Sequence, residues 1–319
     1  IPLELCVNKR SITIVIYCTT SLITAHCSLF TSRGKITGGY EARPHSNPYI
    51  VSLQSRSLWR RYRLCSGSIL SERWVSILSA GHCATDSWAK WFAMDAIVGA
   101  HNLAQVSSSQ VYPISNRIPH PMYRGGVGPY DIAMMRTARK MVYSRTVQPI
   151  NLPASIPKFS KNEKLLITGW GALQSTLFIT EIPNKLQEVK VNYLPYNDCY
   201  WAVDRIKDIY EANPLKRIAN ICTGPISGGI AGCTGDSGGP LVQYVAYSNG
   251  EDTTLMETTT KEETTAAASS TSTIRNGMMP TVVGVISWGV VPCGDRGAPT
   301  VYSNVTNYMD FINKYLHSY

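Results

Sequence analysis

The chain has 319 residues, 44% hydrophobic and 16% charged, the profile of a globular protein with one or two substantial cores. That length suits two domains of ordinary size or one large all-β unit. The formal charge is +9, but lysine and arginine are scattered, which argues against a nucleic-acid partner; the local clusters Arg60-Arg61-Tyr62-Arg63 and Lys216-Arg217 read as solvated loops.

At the N-terminal end, Lys9 and Arg10 precede an apolar stretch from Ile12 to Ala25 that Thr19, Thr20 and Ser21 interrupt. It is too short and too polar to span a bilayer comfortably and fits a signal-peptide core. Residues 1–27 are therefore read as a signal-peptide-like leader, cut near Ala25 or Cys27; a buried strand or a signal anchor is the alternative. Nine cysteines, none in a C-x-x-C pair, agree with an oxidising compartment. Cys6, Cys18 and Cys27 would depart with the leader, leaving an even set of six beyond residue 60. The protein is expected to be secreted and extracellular, with no stable membrane association.

After residue 36 the chain reads as short strands between turn signals, among them Pro48–Leu53, Ala96–Gly99, Leu165–Trp170 and Thr281–Ile286. β-Branched and aromatic residues bounded by Gly, Pro, Asn and Ser suit a sandwich or a barrel. Gln148–Lys164, rich in Pro, Ser and Lys, reads as a link between two halves, and Asp198–Ile209 as a short helix. Residues 248–277 are dominated by Thr, Ser, Glu and Ala. Such a composition cannot offset its ordering entropy, so this low-complexity insertion is expected to be a disordered surface loop, merely tolerated or carrying O-linked sugars. A terminal helix over about 305–317, capped by Asn304 or Thr306, carries an apolar stripe of Tyr308, Phe311, Ile312 and Tyr315. Asn304-Val305-Thr306 is also an N-glycosylation acceptor pattern.

The most informative string is Gly235-Asp236-Ser237-Gly238-Gly239-Pro240. A serine hydroxyl is a poor nucleophile until a base removes its proton and donors stabilise the oxyanion. The glycines let the backbone turn sharply, so that the N–H groups of Gly235 and Ser237 can point at one spot. Alone, the string also fits a purely structural turn. Two more strings narrow the choice. Ser79-Ala80-Gly81-His82-Cys83 sets a histidine beside a cysteine, and Tyr130-Asp131-Ile132-Ala133-Met134-Met135 opens an apolar strand with an aspartate. The remaining histidines (His26, His45, His101, His120 and His317) have no comparable setting.

The order His, Asp, Ser with these flanks resembles the chymotrypsin-like (trypsin-fold) serine proteases, from about Ile36 to the C-terminus. The resemblance implies an all-β fold: two packed six-stranded antiparallel Greek-key barrels, about 36–150 and 160–305, with a C-terminal helix, all within a protease domain spanning 36–319. It implies a serine endopeptidase with His82 as general base and acid, Asp131 as its orienting partner and Ser237 as nucleophile. The amides of Gly235 and Ser237 would form the oxyanion hole. Ser287-Trp288-Gly289 matches the segment along which the family's substrates lie as an added strand, and Gly169-Trp170-Gly171 a landmark near the specificity pocket. Lys35-Ile36-Thr37-Gly38-Gly39 matches the activation site, with Thr37 where the family usually has Val. Cutting after Lys35 would remove a short propeptide, 28–35, and free the Ile36 amine to pair with Asp236; Arg33-Gly34 is a competing cut site. The family's cysteine pairing implies Cys65–Cys83, Cys199–Cys222 and Cys233–Cys293, with a further common bridge absent at both ends, near Leu165 and Gln243. Implied partners are protein and peptide substrates, an activating trypsin-like protease and protein protease inhibitors; the chain is expected to be a monomer.

By the same resemblance the base of the specificity pocket is Ala231, where trypsin-like members carry Asp. A cation there would be desolvated and unpaired, so Arg and Lys are not expected at P1, the residue before the cut. Gly289 leaves one wall open, but Thr300 stands where open pockets have Gly and should shorten the pocket. Small to medium apolar side chains are expected first, Phe and Tyr second. No metal or cofactor is expected: Gly99–Gln110, matching the family's calcium loop, contains no acidic residue. Two departures stand out. Between Trp74 and His82 the chain is two residues longer than the family pattern, at Ser76-Ile77-Leu78, which either bulges harmlessly or displaces His82. Between Cys199 and Cys222 lies an extra basic stretch with Lys207 and Lys216-Arg217, a longer loop open to nicking. The rival reading is a catalytically impaired, protease-like binding or cofactor protein. An esterase of the α/β-hydrolase type is set aside, because it needs G-x-S-x-G between alternating strands and helices.

Overall fold

β-Branched and aromatic residues recur in short runs from Tyr40 onward, and they form strands because they pack well on a pleated surface. The computed structural model describes residues 38–57, 61–72, 75–85, 92–175, 180–208, 210–246, 278–290 and 292–316. The chain divides into Ile1–Arg33 and Gly34–Tyr319, and every described residue lies in the second unit. The expected leader, propeptide, Lys35–Ile36 junction and the whole insertion 248–277 fall outside the described residues. No helix among the described residues is long and apolar enough to cross a membrane.

Past the short β1 (Tyr40–Glu41), the first barrel is built from β2 (Ile50–Arg56), β3 (Arg61–Ile69), β4 (Val75–Ser79), β5 (Ala93–Val98), β6 (Val111–Pro119) and β7 (Ala133–Thr137). Its antiparallel strands close in the order β2-β3-β4-β7-β6-β5. A single helical turn, α1 (Gly81–Thr85), follows β4. Leu53, Ile69, Ile77, Leu78, Met134 and Met135 fill the interior and are wholly buried. Closure leaves no free sheet edge, and staggered aliphatic side chains fill the space.

The second barrel uses β8 (Lys164–Gly169), β11 (Gln187–Leu194), β12 (Asn220–Gly224), β13 (Pro240–Ala246), β14 (Met278–Trp288) and β15 (Thr300–Asn304), after a small hairpin of β9 (Gln174–Ser175) and β10 (Thr180–Glu181). The order β11-β12-β15-β14-β13-β8 closes through β8–β11, and β1 adds at β11. Leu165, Ile167, Val189, Leu241, Val283 and Tyr302 form its core. The segment expected as a link straps the two barrels: Gln148 N–H donates to the Pro48 carbonyl, Ile150 N–H to Ile69, and Asn151 accepts from Val282 N–H.

Both predicted helices form, with shifted bounds. The first is α2 (Tyr196–Ile206), beginning earlier than Asp198 because Pro195 sits at the N-cap with its fixed φ. The last begins as a 3-10 turn, Val305–Tyr308, before α3 (Met309–Leu316). Asn304 caps that turn, its side-chain oxygen accepting from Thr306 N–H at 3.3 Å. Tyr308, Phe311 and Ile312 join the same buried cluster as Ile77, Ile132 and Met134 of the first barrel. The chain end thereby clamps the barrel that began the fold.

Where the extra length before His82 lies, β4 carries an irregularity that takes up one residue. Val75 pairs with Arg136 but Ile77 with the adjacent Met135, so the register shifts at Ser76. This is a β-bulge, which admits an extra residue without breaking the flanking pairs. Ser76 is fully buried, and its hydroxyl has no hydrogen-bond partner among the described residues. An unsatisfied buried hydroxyl costs free energy. Ser76→Ala is therefore expected to raise the unfolding free energy by about 1 kcal/mol, read as a higher urea midpoint at unchanged slope.

Candidate active site

Asp131 lies two residues before β7 and is only 1% exposed. A buried carboxylate must gather donors, and this one draws them from both barrels. From the first, His82 gives its backbone N–H to Oδ1 at 2.8 Å and faces Oδ2 with Nδ1 at 2.9 Å. From the second, Ser287 Oγ donates to Oδ2 at 2.5 Å, and Ser303 Oγ donates to the Asp131 backbone carbonyl at 2.6 Å. With Nδ1 facing the carboxylate, the ring's orientation is fixed and Nε2 is directed away from it. His82 is displaced by nothing that the bulge at Ser76 introduces: the Asp131 contacts are intact.

Ser237 lies on the turn before β13. Its backbone carbonyl accepts from Ser66 N–H at 2.7 Å, and Ser66 adjoins Cys65, which is disulfide-bonded to Cys83 next to His82. Two hydrogen bonds tighten this junction, Ser79 Oγ to the Ser66 carbonyl at 2.8 Å and Ser66 Oγ to the Gly235 carbonyl at 3.0 Å. Gly238 has φ +81°, and a Cβ there would lie 2.2 Å from Ser79 Oγ and 2.5 Å from the Ser66 carbonyl oxygen. Only glycine lets this turn approach the strand that leads to His82. Along the turn, the amides of Asp236, Gly238 and Gly239 donate to Cys233, Ile286 and Asp236 carbonyls. Those of Gly235 and Ser237 have no acceptor among the described residues. Two free amides flanking a serine are what an oxyanion needs.

A family model described as Trypsin matches residues 36–312. The chain belongs to the trypsin family of serine proteases. It is 32% identical over 287 residues to Trypsin II-P29 of Gallus gallus, covering 89% of this chain and 90% of that protein. It is also 32% identical over 222 residues to Granzyme-like protein 1 of Rattus norvegicus, covering 69% and 82%, and 32% identical over 240 residues to Duodenase-1 of Bos taurus, covering 73% and 87%. Family membership makes the protein a serine endopeptidase, a hydrolase acting on protein substrates.

A second buried carboxylate, Asp236, stands beside Ser237 and is 1% exposed. It accepts from Gly171 N–H at 2.8 Å and Cys233 N–H at 3.0 Å. Gly171 makes the room: a Cβ there would lie 2.4 Å from the carboxyl carbon. Burial outweighs the two amide donors and pushes the Asp236 pKa up to about 6. Gly38 packs against the Gly229 carbonyl and Ile230, so the N-terminal end of the protease domain runs along the second barrel.

Of the expected pocket residues, Ala231, Ser287 and Thr300 are buried. Ala231 and Thr300 are 6% and 4% exposed, and the intervening Gly232 faces Ile286 Cδ1 and Thr300 Cγ2 at 3.6 and 3.7 Å from where a Cβ would stand. Thr300 turns its hydroxyl to Tyr302, whose phenol is pushed up by burial and partly restored by hydrogen bonds from Thr223 and Thr300. The Thr300 methyl is thus the group beside Gly232. Cys233–Cys293 ties the two sides of this region, and Cys199–Cys222 ties α2 to β12. Trp288 is half-buried and Gly289 exposed, at the rim of a cavity of about 610 Å³ that Val127, Ile206, Lys207 and Val290 also line. Among the described residues the one His/Cys cluster with metal-like spacing is Cys65, His82 and Cys83, whose sulfurs are tied up in a disulfide.

Sequence reasoning missed Ser303 and the bond from Ser287 to Asp131. A lone serine inside a strand carries no signal; only barrel docking gives it a partner.

Asp236 yields a pH prediction. Its folded pKa of about 6 exceeds the ordinary 3.8, so between these values the folded state holds more protons than the unfolded one. The contribution to stability is full below about pH 4 and is lost as pH rises through about 6, by roughly 3 kcal/mol. In a chain still continuous through Lys35–Ile36, Asp236→Asn should remove this fall, seen as a flatter difference in unfolding free energy between pH 4 and 7.

Proposed function

We propose that the protein is a secreted serine endopeptidase, made as a precursor, that cuts after small to medium apolar residues with Ser237 as its nucleophile. The observation that carries this reading is the pairing of buried Asp131 with both His82 Nδ1 and His82 N–H, next to a serine flanked by two uncommitted amides. His82 Nε2 takes the proton from Ser237 Oγ as that oxygen adds to the scissile carbonyl. The amides of Gly235 and Ser237 hold the resulting oxyanion, and Asp131 stabilises the imidazolium. The proton passes from His82 to the leaving amine, the C–N bond breaks, and an acyl-enzyme on Ser237 remains. Water, deprotonated by His82, then releases the acid and restores the serine. The binding-protein reading is not favoured, since the extra residue at Ser76 leaves the Asp131–His82 contacts in place.

Precursor control rests on Asp236. Burial leaves its charge costly until a cation arrives. The amine freed by cutting Lys35–Ile36 would supply one, so that Asp236 ionises and the Ser237 turn is fixed. Residues 28–35 are the propeptide in this reading, residues 1–27 the secretory leader, and a trypsin-like protease the activator. Three disulfides among the described residues suit a secreted enzyme held in check by protein inhibitors and working as a monomer.

Pocket chemistry sets the P1 preference. Ala231 offers a methyl, not a carboxylate, and the Thr300 methyl narrows the space. Chain expressed from Ile36 and profiled with peptides varied at P1 should cleave Ala, Val and Leu best, Phe and Tyr less, and Arg and Lys least. Ser237→Ala should lower kcat/KM by at least about a thousandfold; a folded wild-type chain that cleaves no peptide would sink the proposal. Ala231→Asp should shift the profile toward Arg and Lys, and Thr300→Gly toward Phe and Tyr, each by about 10- to 200-fold in relative kcat/KM.

A further inference from the structure

The first barrel carries a cleft of about 460 Å³ away from Ser237, lined by Arg56, Arg61, Arg63, Gln54, Leu103 and Val106. It takes in the basic run Arg61-Tyr62-Arg63, which neither catalysis nor the P1 pocket uses. Arg61 Nε meets Asp95 Oδ2 at 3.3 Å and Arg56 Nε lies 3.8 Å from it, while both arginine side chains stay 42% and 47% exposed. Asp95 itself is fully buried. Both ion pairs use Nε, so the Nη nitrogens of Arg56 and Arg61 have no partner among the described residues. Arg63 donates to the Pro183 carbonyl and the Asn184 side-chain oxygen, neutral acceptors that leave its charge uncompensated. Three guanidiniums therefore face one carboxylate, and the excess is positive.

The remaining lining has a different character. Leu103 and Val106 are partly buried apolar side chains packed against the core, on a loop, Gly99–Gln110, without an acidic residue. A guanidinium fork matches a carboxylate in shape, and the apolar residues match an aliphatic side chain. A sulfated polysaccharide would use the cations and leave Leu103 and Val106 without a partner. A peptide bearing both acidic and apolar residues uses both.

The cleft is also coupled in position to the nucleophile. β3 runs from Arg61 to Ile69, and Ser66 on it donates to the Ser237 carbonyl. Arg63 is three residues away along this strand, about 10 Å at a strand's rise. A protein substrate seated at Ser237 thus needs only a few further extended residues to reach the arginines.

We propose that this cleft is an exosite for an acidic, partly apolar peptide segment of the protein substrate. Carboxylates engage Arg56, Arg61 and Arg63, and an aliphatic side chain rests on Leu103 and Val106. The proposal rests on the endopeptidase reading for its purpose, but its test does not need catalysis. Ser237→Ala chain is titrated with a labelled peptide, Glu-Leu-Glu-Glu-Leu-Glu, and with its Gln counterpart. The Glu peptide should bind roughly tenfold tighter at 0.05 M NaCl and lose that advantage at 0.5 M, where screening is within a few ångströms. Arg56→Gln and Arg63→Gln should each weaken it about threefold; Arg56→Gln leaves Arg61 on Asp95, so the fold keeps that ion pair. Lys161→Gln, the same charge loss at an exposed site on another loop, should change nothing. Equal binding of the two peptides, equal loss from Lys161→Gln, or arginine-dependent binding of a heparin oligosaccharide without binding of the Glu peptide would overturn the proposal.

Discussion

The arrangement depends on burying the Asp131 carboxylate. At 1% exposure it has surrendered its hydration, and neither barrel alone replaces it. His82 supplies two donors from the first barrel and Ser287 a hydroxyl from β14 of the second, while Ser303 on β15 holds the Asp131 backbone carbonyl. Removing one partner from such a site leaves charge without compensation, which is far more costly than the net worth of the pair. Barrel docking and orientation of His82 are consequently one event. The C-terminal segment reinforces it, with the Tyr308 hydroxyl oxygen accepting from the backbone N–H of Tyr130, one residue before Asp131.

Asp236 is the counterpart, a buried carboxylate left with only two amide donors. Its raised pKa measures how incompletely it is compensated. Glycines at 169 and 171 clear the space it occupies, so the fold prepares the site for the charge before the charge is neutralised. In the proposed precursor scheme this shortfall is the switch: a cation delivered to Asp236 stabilises the turn that carries Ser237. In that scheme one carboxylate holds the site together and the other would make its completion conditional.

In the proposed scheme, substrate recognition would divide by dielectric. In the proposed P1 pocket, Ala231 and Thr300 are buried, and the absence of a carboxylate there would disfavour a cationic side chain. Outside, on the first barrel, the arginines at 56, 61 and 63 stand in solvent, where attraction is weaker and depends on salt. The proposed exosite and the pocket would then select different parts of one substrate.

Much of this was written in local sequence. The strings around His82, Asp131 and Ser237 announced the chemistry because turns and strand starts need particular residues. The short β-branched runs announced strands of a closed sheet. Helix ends moved by a few residues, because Pro195 and the 3-10 turn after Asn304 set boundaries that apolar periodicity does not see. Other features had no local signature. Ser303 and Ser287 became partners of Asp131 only when β14 and β15 came against the first barrel. The surplus length before His82 was legible, but the bulge at Ser76 was not, because it is defined by pairing with β7. Likewise, Arg61-Tyr62-Arg63 read as a solvated loop until β5 and the loop at Leu103 closed a cleft around it. Sequence determined the elements and the reactive groups, since these follow from neighbours along the chain. Tertiary structure alone decided how the buried charges are satisfied, since donors such as His82 and Ser287 to Asp131 and Gly171 to Asp236 lie 49, 156 and 65 positions away along the chain.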